Sequence, residues 1–130
     1  MPVNLLNVTL IVREYDEARD FYTNKLGFQV IEDTDLGSGK RWLRVAPNPN
    51  AGPCLLLARA ADEAQTALIG HQCGGRVWLF FETDNIDRDY AAWTQSGVRF
   101  HEPVRSEVYG TVAVFEDLYG NRFDLIESRR

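Results

Sequence analysis

Val114 to Glu127 reads V-F-E-D-L-Y-G-N-R-F-D-L-I-E, and the fold is decided there. Two apolar runs flank a polar turn. Val112, Ala113, Val114 and Phe115 form one predicted strand; Phe123, Leu125 and Ile126 form the next. Asp117, Gly120 and Asn121 supply turn chemistry between them, because Gly and Asn accept a positive φ cheaply. Strand, short turn, strand predicts an antiparallel hairpin. Its second strand holds one acid, Asp124, amid apolar residues. Such an acid is either a solvent-facing member of an alternating strand or a group aimed into a pocket.

Upstream of the hairpin, Leu5–Val12 is rich in β-branched residues and predicts a strand, with Asn7, Thr9 and Ile11 on one face. Asp16 is placed to cap a helix in which Ala18, Phe21, Tyr22 and Leu26 recur at helical spacing, and Gly27 closes it. Phe28–Glu32 resumes a strand, Asp33–Lys40 reads as a turn region, and Arg41–Ala46 is a third strand. After the rigid P-N-P-N-A-G-P loop, Cys54–Ala58 is apolar throughout and predicts a central strand. A Gly-broken connector follows, with a helical pattern over Asp62–Ile69. Val77–Phe81 is the next strand, Asp84 or Asn85 caps a second helix bearing Ile86, Tyr90 and Trp93, and Gly97 ends it. Val98–Phe100 and Glu107–Tyr109 precede the hairpin.

The same order occurs twice: strand, helix, Gly, three strands. The helix-ending glycines lie 97 − 27 = 70 residues apart, and that offset sets Val77 opposite Asn7 and Asp124 opposite Cys54. The expected fold is α+β: two βαβββ modules, about 4–60 and 76–128, joined by a connector over 61–75, with a curved mixed sheet around a cleft. At 130 residues the two modules make one domain.

Composition sets limits. Net charge is −5 with no block of like charge, which argues against nucleic acid as a partner, since phosphate binding needs a basic stripe. No run of about 18 apolar residues predicts a membrane span. The N-terminus shows no secretory pattern, and Cys54 and Cys73 are not arranged as a disulfide framework, so a reducing cytoplasm is expected.

From Leu5 to Glu127 the chain resembles the vicinal oxygen chelate superfamily of glyoxalase I, bleomycin-resistance and fosfomycin-resistance proteins and extradiol dioxygenases. Two stretches carry the likeness: D-F-Y-T-N-K-L-G-F at Asp20–Phe28, similar to the family's F-Y-x-x-x-L-G-F, and E-D-L-Y-G-N-R-F-D-L-I-E at Glu116–Glu127, similar to its D-P-x-G-x-x-x-E-L hairpin. The resemblance implies a homodimer and, in metal-dependent members, His, Gln or Glu ligands on the first and last strands of each module. Position by position, the family ligands match Asn7, nothing polar but Cys54 on the first module's last strand, Val77, and Asp124. One carboxylate and one amide do not make a Zn, Ni, Mn or Fe site, which needs three or four converging donors. No metal and no cofactor are expected; an atypical site using Cys54 and Asp124 is the residual alternative.

The candidate cleft residues are Asn7, Thr9, Trp42, Arg44, Val77, Leu79, Tyr109 and Asp124. Asp124 is a cleft carboxylate or a structural acid paired with Arg44 or Arg122. Asn7 and Thr9 line the cleft or pair across the sheet. Trp42 and Arg44 share a face suited to an anionic or planar ligand, or else are a core indole with a snorkelling arginine. Val77, Leu79 and Phe81 alternate with Trp78 and Phe80; one set packs on helices and the other walls the cleft. Tyr109 is a cleft lip or an ordinary turn residue. His101 is a general base or a surface strand end, and His71 lies in the connector. The function expected is metal-free binding of a small planar or amphipathic molecule, bleomycin-resistance-like, with the acidic net charge suiting a cationic ligand. A glyoxalase- or dioxygenase-type lyase or isomerase with atypical or no metal dependence is the alternative, and a ligand-free structural or regulatory dimer is a third reading.

Overall fold

The computed structural model describes residues 2–129, and the chain divides into two compact units at Ile69/Gly70. In the first, β1 (Asn7–Val12) leads into α1 (Tyr15–Asp20), which continues as a π-helical segment, Phe21–Lys25. Then come β2 (Gln29–Gly37), β3 (Lys40–Ala46), β4 (Cys54–Arg59) and the short α2 (Glu63–Thr66). Strand order is β1-β4-β3-β2, with β1 and β4 parallel and the other pairs antiparallel. Leu10, Val12, Tyr22, Leu43, Val45 and Leu57 are buried. As the all-apolar sequence predicts, β4 is central.

The second unit has β5 (Val77–Glu82), α3 (Ile86–Gln95), β6 (Arg99–Phe100), β7 (Arg105–Glu107), β8 (Gly110–Glu116) and β9 (Arg122–Ser128). Its order is β5-β9-β8-β6, with β7 also on β8 and β5 parallel to β9. Both sheets are therefore mixed, and the expected α+β pattern of two βαβββ units is present. Phe115 and Phe123 are fully buried; Phe81 meets Phe123 edge-on at 5.5 Å, and Trp93 meets Phe115 at 4.9 Å. In this unit the second strand of the repeat is split into β6 and β7.

A shift of 70 residues carries β1 onto β5 and β3 onto β8 end for end. It fails at the last strand. Arg44 pairs with Leu56, but its counterpart Val114 pairs with Asp124. The loop before β4 spans 47–53, whereas the turn before β9 spans 117–121, so β9 is slid by two residues. The counterpart of Asp124 in the first unit is therefore Leu56, not Cys54.

Three further expectations are corrected. Glu14, not Asp16, precedes α1 and makes no side-chain cap. The helix starts earlier because Tyr15 is buried and its hydroxyl accepts the Arg41 N–H at 3.2 Å, while Asp16 pairs with Arg41 at 2.6 Å. The Asp33–Lys40 turn region is mostly strand: Asp33, Thr34 and Asp35 pair with Leu43, Trp42 and Arg41, and an exposed edge tolerates their polarity. The turn narrows to Ser38 (φ 56°) and Gly39 (φ 78°), both left-handed as a type I′ hairpin requires. Finally, Glu107–Tyr109 is not all strand, because β7 ends at Glu107 and Tyr109 sits in the turn to β8.

Two glycines make the packing testable. A Cβ on Gly110 (φ +156°) would lie 2.4 Å from the Glu127 carbonyl oxygen, whereas Gly27 (φ +76°) meets nothing within 4 Å. Gly27→Ala should therefore lose only the left-handed penalty of about 1 kcal/mol, and Gly110→Ala upwards of about 3 kcal/mol, because backbone must move. Urea unfolding of both variants checks the order.

Candidate functional site

In the first unit, strand register sets Thr9, Leu56, Arg44 and Glu32 in a row across one sheet face. Asn7 and Trp42 lie on the same face, two residues from Thr9 and Arg44. The Arg44 side chain is only 14% exposed and every guanidinium nitrogen is engaged. Nε donates to Asn7 Oδ1 (2.9 Å), one terminal nitrogen to Glu32 Oε1 (3.3 Å), and the other to Cys54 Sγ (3.3 Å). Trp42 Nε1 donates to the same Glu32 oxygen at 3.1 Å. Arg44 is thus a fixed cation in a polar cluster, not a snorkelling side chain.

Beside this cluster is a cavity of about 550 Å³ lined by Thr9, Tyr15, Trp42, Leu56, Ala58 and Arg59, with other residues at its rim. It brings together the predicted Thr9 and Trp42; Asn7 and Arg44 are not among its lining residues. A larger open hollow of about 720 Å³, bounded by residues such as Thr83, Asp84 and Arg129, contains none of the predicted residues.

In the second unit, Asp124 is 6% exposed, and its Oδ1 is the one buried side-chain oxygen or nitrogen among the described residues that lacks a hydrogen-bond partner. Among the described residues Arg122 forms no ion pair with it, and Arg44 is committed to Asn7, Glu32 and Cys54 in the first unit. Burial pushes its carboxyl above the usual 3.8; the Arg105 charge opposes that rise and the Glu102 charge adds to it. On β5 the neighbour of Asp124 is Phe80. A bulge between Val77 and Leu79 inserts one residue, so Leu79 pairs with Phe123 and Phe80 pairs with Asp124. Phe80 is 64% exposed, and Trp78 stacks on Phe123 at 6.0 Å. Val77 stays on the Asp124 face through its pairing with Arg122. Phe80 is the residue that strand alternation missed, since a bulge leaves no mark in composition.

Tyr109 is half-exposed beside Arg105, which binds Glu107 (2.8 Å) and Glu102. His101 bonds the Val114 carbonyl through its N–H, and its Nε2 lies 2.9 Å from Glu116 Oε2. His71 is exposed in the connector.

The donor set does not fit a divalent metal of the family type. Asn7 Oδ1 and Cys54 Sγ, the first unit's donors, both face a permanent guanidinium charge that repels a second cation. Leu56 and Val77 offer hydrocarbon. Among the described residues no three His, Cys, Asp or Glu side chains are grouped to hold an ion.

The family model for the glyoxalase/bleomycin resistance protein/dioxygenase superfamily matches residues 4–125. The chain belongs to this superfamily. An uncharacterised protein of Shewanella frigidimarina (strain NCIMB 400) is 49% identical over 128 residues, covering 98% of this chain and 95% of that protein. YurT of Bacillus subtilis (strain 168) is 33% identical, covering 96% and 99%. Among solved structures, UcmS2 matches with a TM-score of 0.85 at 34% identity, covering 98% of this chain and all of that one. TnmS3, an antibiotic binding protein from Streptomyces sp. CB03234, matches at 0.78 and 27%, covering 98% of each. No helix among the described residues is long and apolar enough to cross a membrane.

Asp124 yields a pH prediction. A carboxyl whose pKa is raised on folding holds its proton more tightly folded than unfolded, so stability falls as pH rises through the interval above 3.8. Asp124→Asn removes that loss. It should melt higher than the parent at neutral pH, with the gap closing at acid pH. Thermal unfolding across the pH range checks it; a lower melting point at neutral pH would mean the carboxylate has a partner.

Proposed function

We propose that the protein binds a small planar or amphipathic molecule without a metal, in the manner of bleomycin-resistance proteins, and acts as a homodimer. The observation that carries this reading is the first unit's cavity, which has the size of a small-molecule site and combines an indole and aliphatic wall with polar and charged side chains. The Arg44 cluster supports the metal-free part, because it puts a charged side chain against the donors a metal would need. TnmS3, described as an antibiotic binding protein, supports the ligand class. The edge strand β2, exposed along its length and carrying Val30, Ile31 and Leu36, supports self-association.

One observation favours a second reading, an enzyme of the lyase or isomerase type. Asp124 is a buried carboxylate with an unpaired oxygen and a raised pKa, as a general base requires.

The two readings separate in one experiment. A ligand library screened by thermal shift should yield compounds that raise the melting point by several degrees, and chelator treatment should leave both the melting point and the binding unchanged. Ligands should be recovered intact. Turnover lost on Asp124→Asn, with the fold retained, would favour the enzyme. Stoichiometric Zn, Ni, Mn or Fe in the purified protein would overturn the metal-free reading.

A further inference from the structure

Every charged residue that lines the first unit's cavity is a cation: Lys40, Arg41 and Arg59. This runs against the chain as a whole, whose net charge of −5 suggests a cationic ligand. The three cations are not equally available. Arg41 is spent, since Asp33 and Asp16 bind it at 2.8 and 2.6 Å and it leans on the Tyr15 ring at 5.1 Å. Arg59 is half-committed. One terminal nitrogen donates to the Gly39 carbonyl, Glu14 lies a loose 3.7 Å away, and the guanidinium sits over Tyr15 at 5.5 Å. Lys40 forms no ion pair or side-chain hydrogen bond with any described residue. The cavity mouth therefore offers one free ammonium and one weakly neutralised guanidinium. The rest of the lining is mainly apolar, with Trp42, Leu36, Leu56 and Ala58, and carries the hydroxyls of Thr9 and Tyr15.

We infer that the cavity is selective for aromatic or amphipathic anions, with the acidic end between Lys40 and Arg59 and the flat body against Trp42 and Leu56. The inference rests on the small-molecule reading above and gives that ligand a charge. A carboxylate, sulfonate or phosphate shares the required chemistry: several acceptor oxygens that take charge-assisted hydrogen bonds in a partly desolvated mouth. A cationic ligand would meet two like charges and no acid in the lining. A neutral ligand would use only the wall. Lys40 directly follows the Ser38–Gly39 turn, and Arg59 is tied to that turn through the Gly39 carbonyl at 3.2 Å, so one hairpin positions both cations.

Three probes of one shape test the charge: 2-naphthoate, 2-naphthalenemethanol and 2-naphthylmethylammonium, each titrated by calorimetry against the full chain and against Lys40→Gln, Arg59→Gln and Trp42→Ala. The naphthoate should bind about tenfold or more tightly than the alcohol, and the ammonium weakest. Lys40→Gln should weaken naphthoate binding about tenfold and leave the alcohol unchanged, and raised salt should weaken only the naphthoate. Trp42→Ala should weaken both. Equal binding of naphthoate and alcohol, or tightest binding of the ammonium, overturns the anion inference while leaving a small-molecule cavity in place. Failure of all three probes, with Trp42→Ala also silent toward any hit from the ligand library, overturns the cavity reading and this inference with it. Lys40 is exposed, so its variant tests recognition without putting the fold at risk.

Discussion

In each unit the first strand lies parallel against the last, and that contact governs what the sheet presents. Parallel pairing needs a crossover, which the helices α1 and α3 supply, and it makes the last strand internal. An internal strand has both faces to fill. β4 does so with Leu55, Leu56 and Leu57, and β9 with Phe123 and Leu125 on one side and Asp124 on the other. Asp124 on this internal strand is only 6% exposed, and that burial raises its carboxyl above the usual range.

The two units solve the problem of polar groups at their centres differently. The first neutralises its cluster internally: Arg44 takes up the Asn7 oxygen, the Cys54 sulfur and Glu32 at once. Removing one member of such a network leaves the others buried and unmatched, so the cluster behaves as a unit. The second unit leaves Asp124 Oδ1 unmatched. One half thus holds a closed polar knot and the other a buried acceptor without a donor.

Much of this was legible in the residues. The hairpin turn, the helix ends at Gly27 and Gly97, the Asn85 cap and the central position of the Cys54–Ala58 strand all follow from local chemistry, and the structure has them. What was not legible depends on pairing. The β5 bulge exchanges Leu79 for Phe80 beside Asp124, and no residue type announces it. The partners of Arg44 lie 37, 12 and 10 positions away, so their convergence appears only once three strands are in register. The net charge averages over the whole surface, whereas the charged lining of the first unit's cavity, Lys40, Arg41 and Arg59, is gathered only by the fold.

The unequal loops before β4 and β9 carry a parity consequence. Side chains along a strand alternate with period two, so a connection shortened by an even number leaves inward residues inward, while an odd change turns the whole strand inside out. Going from seven connecting residues to five keeps the hydrophobic side of the duplicated sheet intact yet hands every position a new set of neighbours. Tandem halves built this way can trade their chemistry without first surrendering their cores.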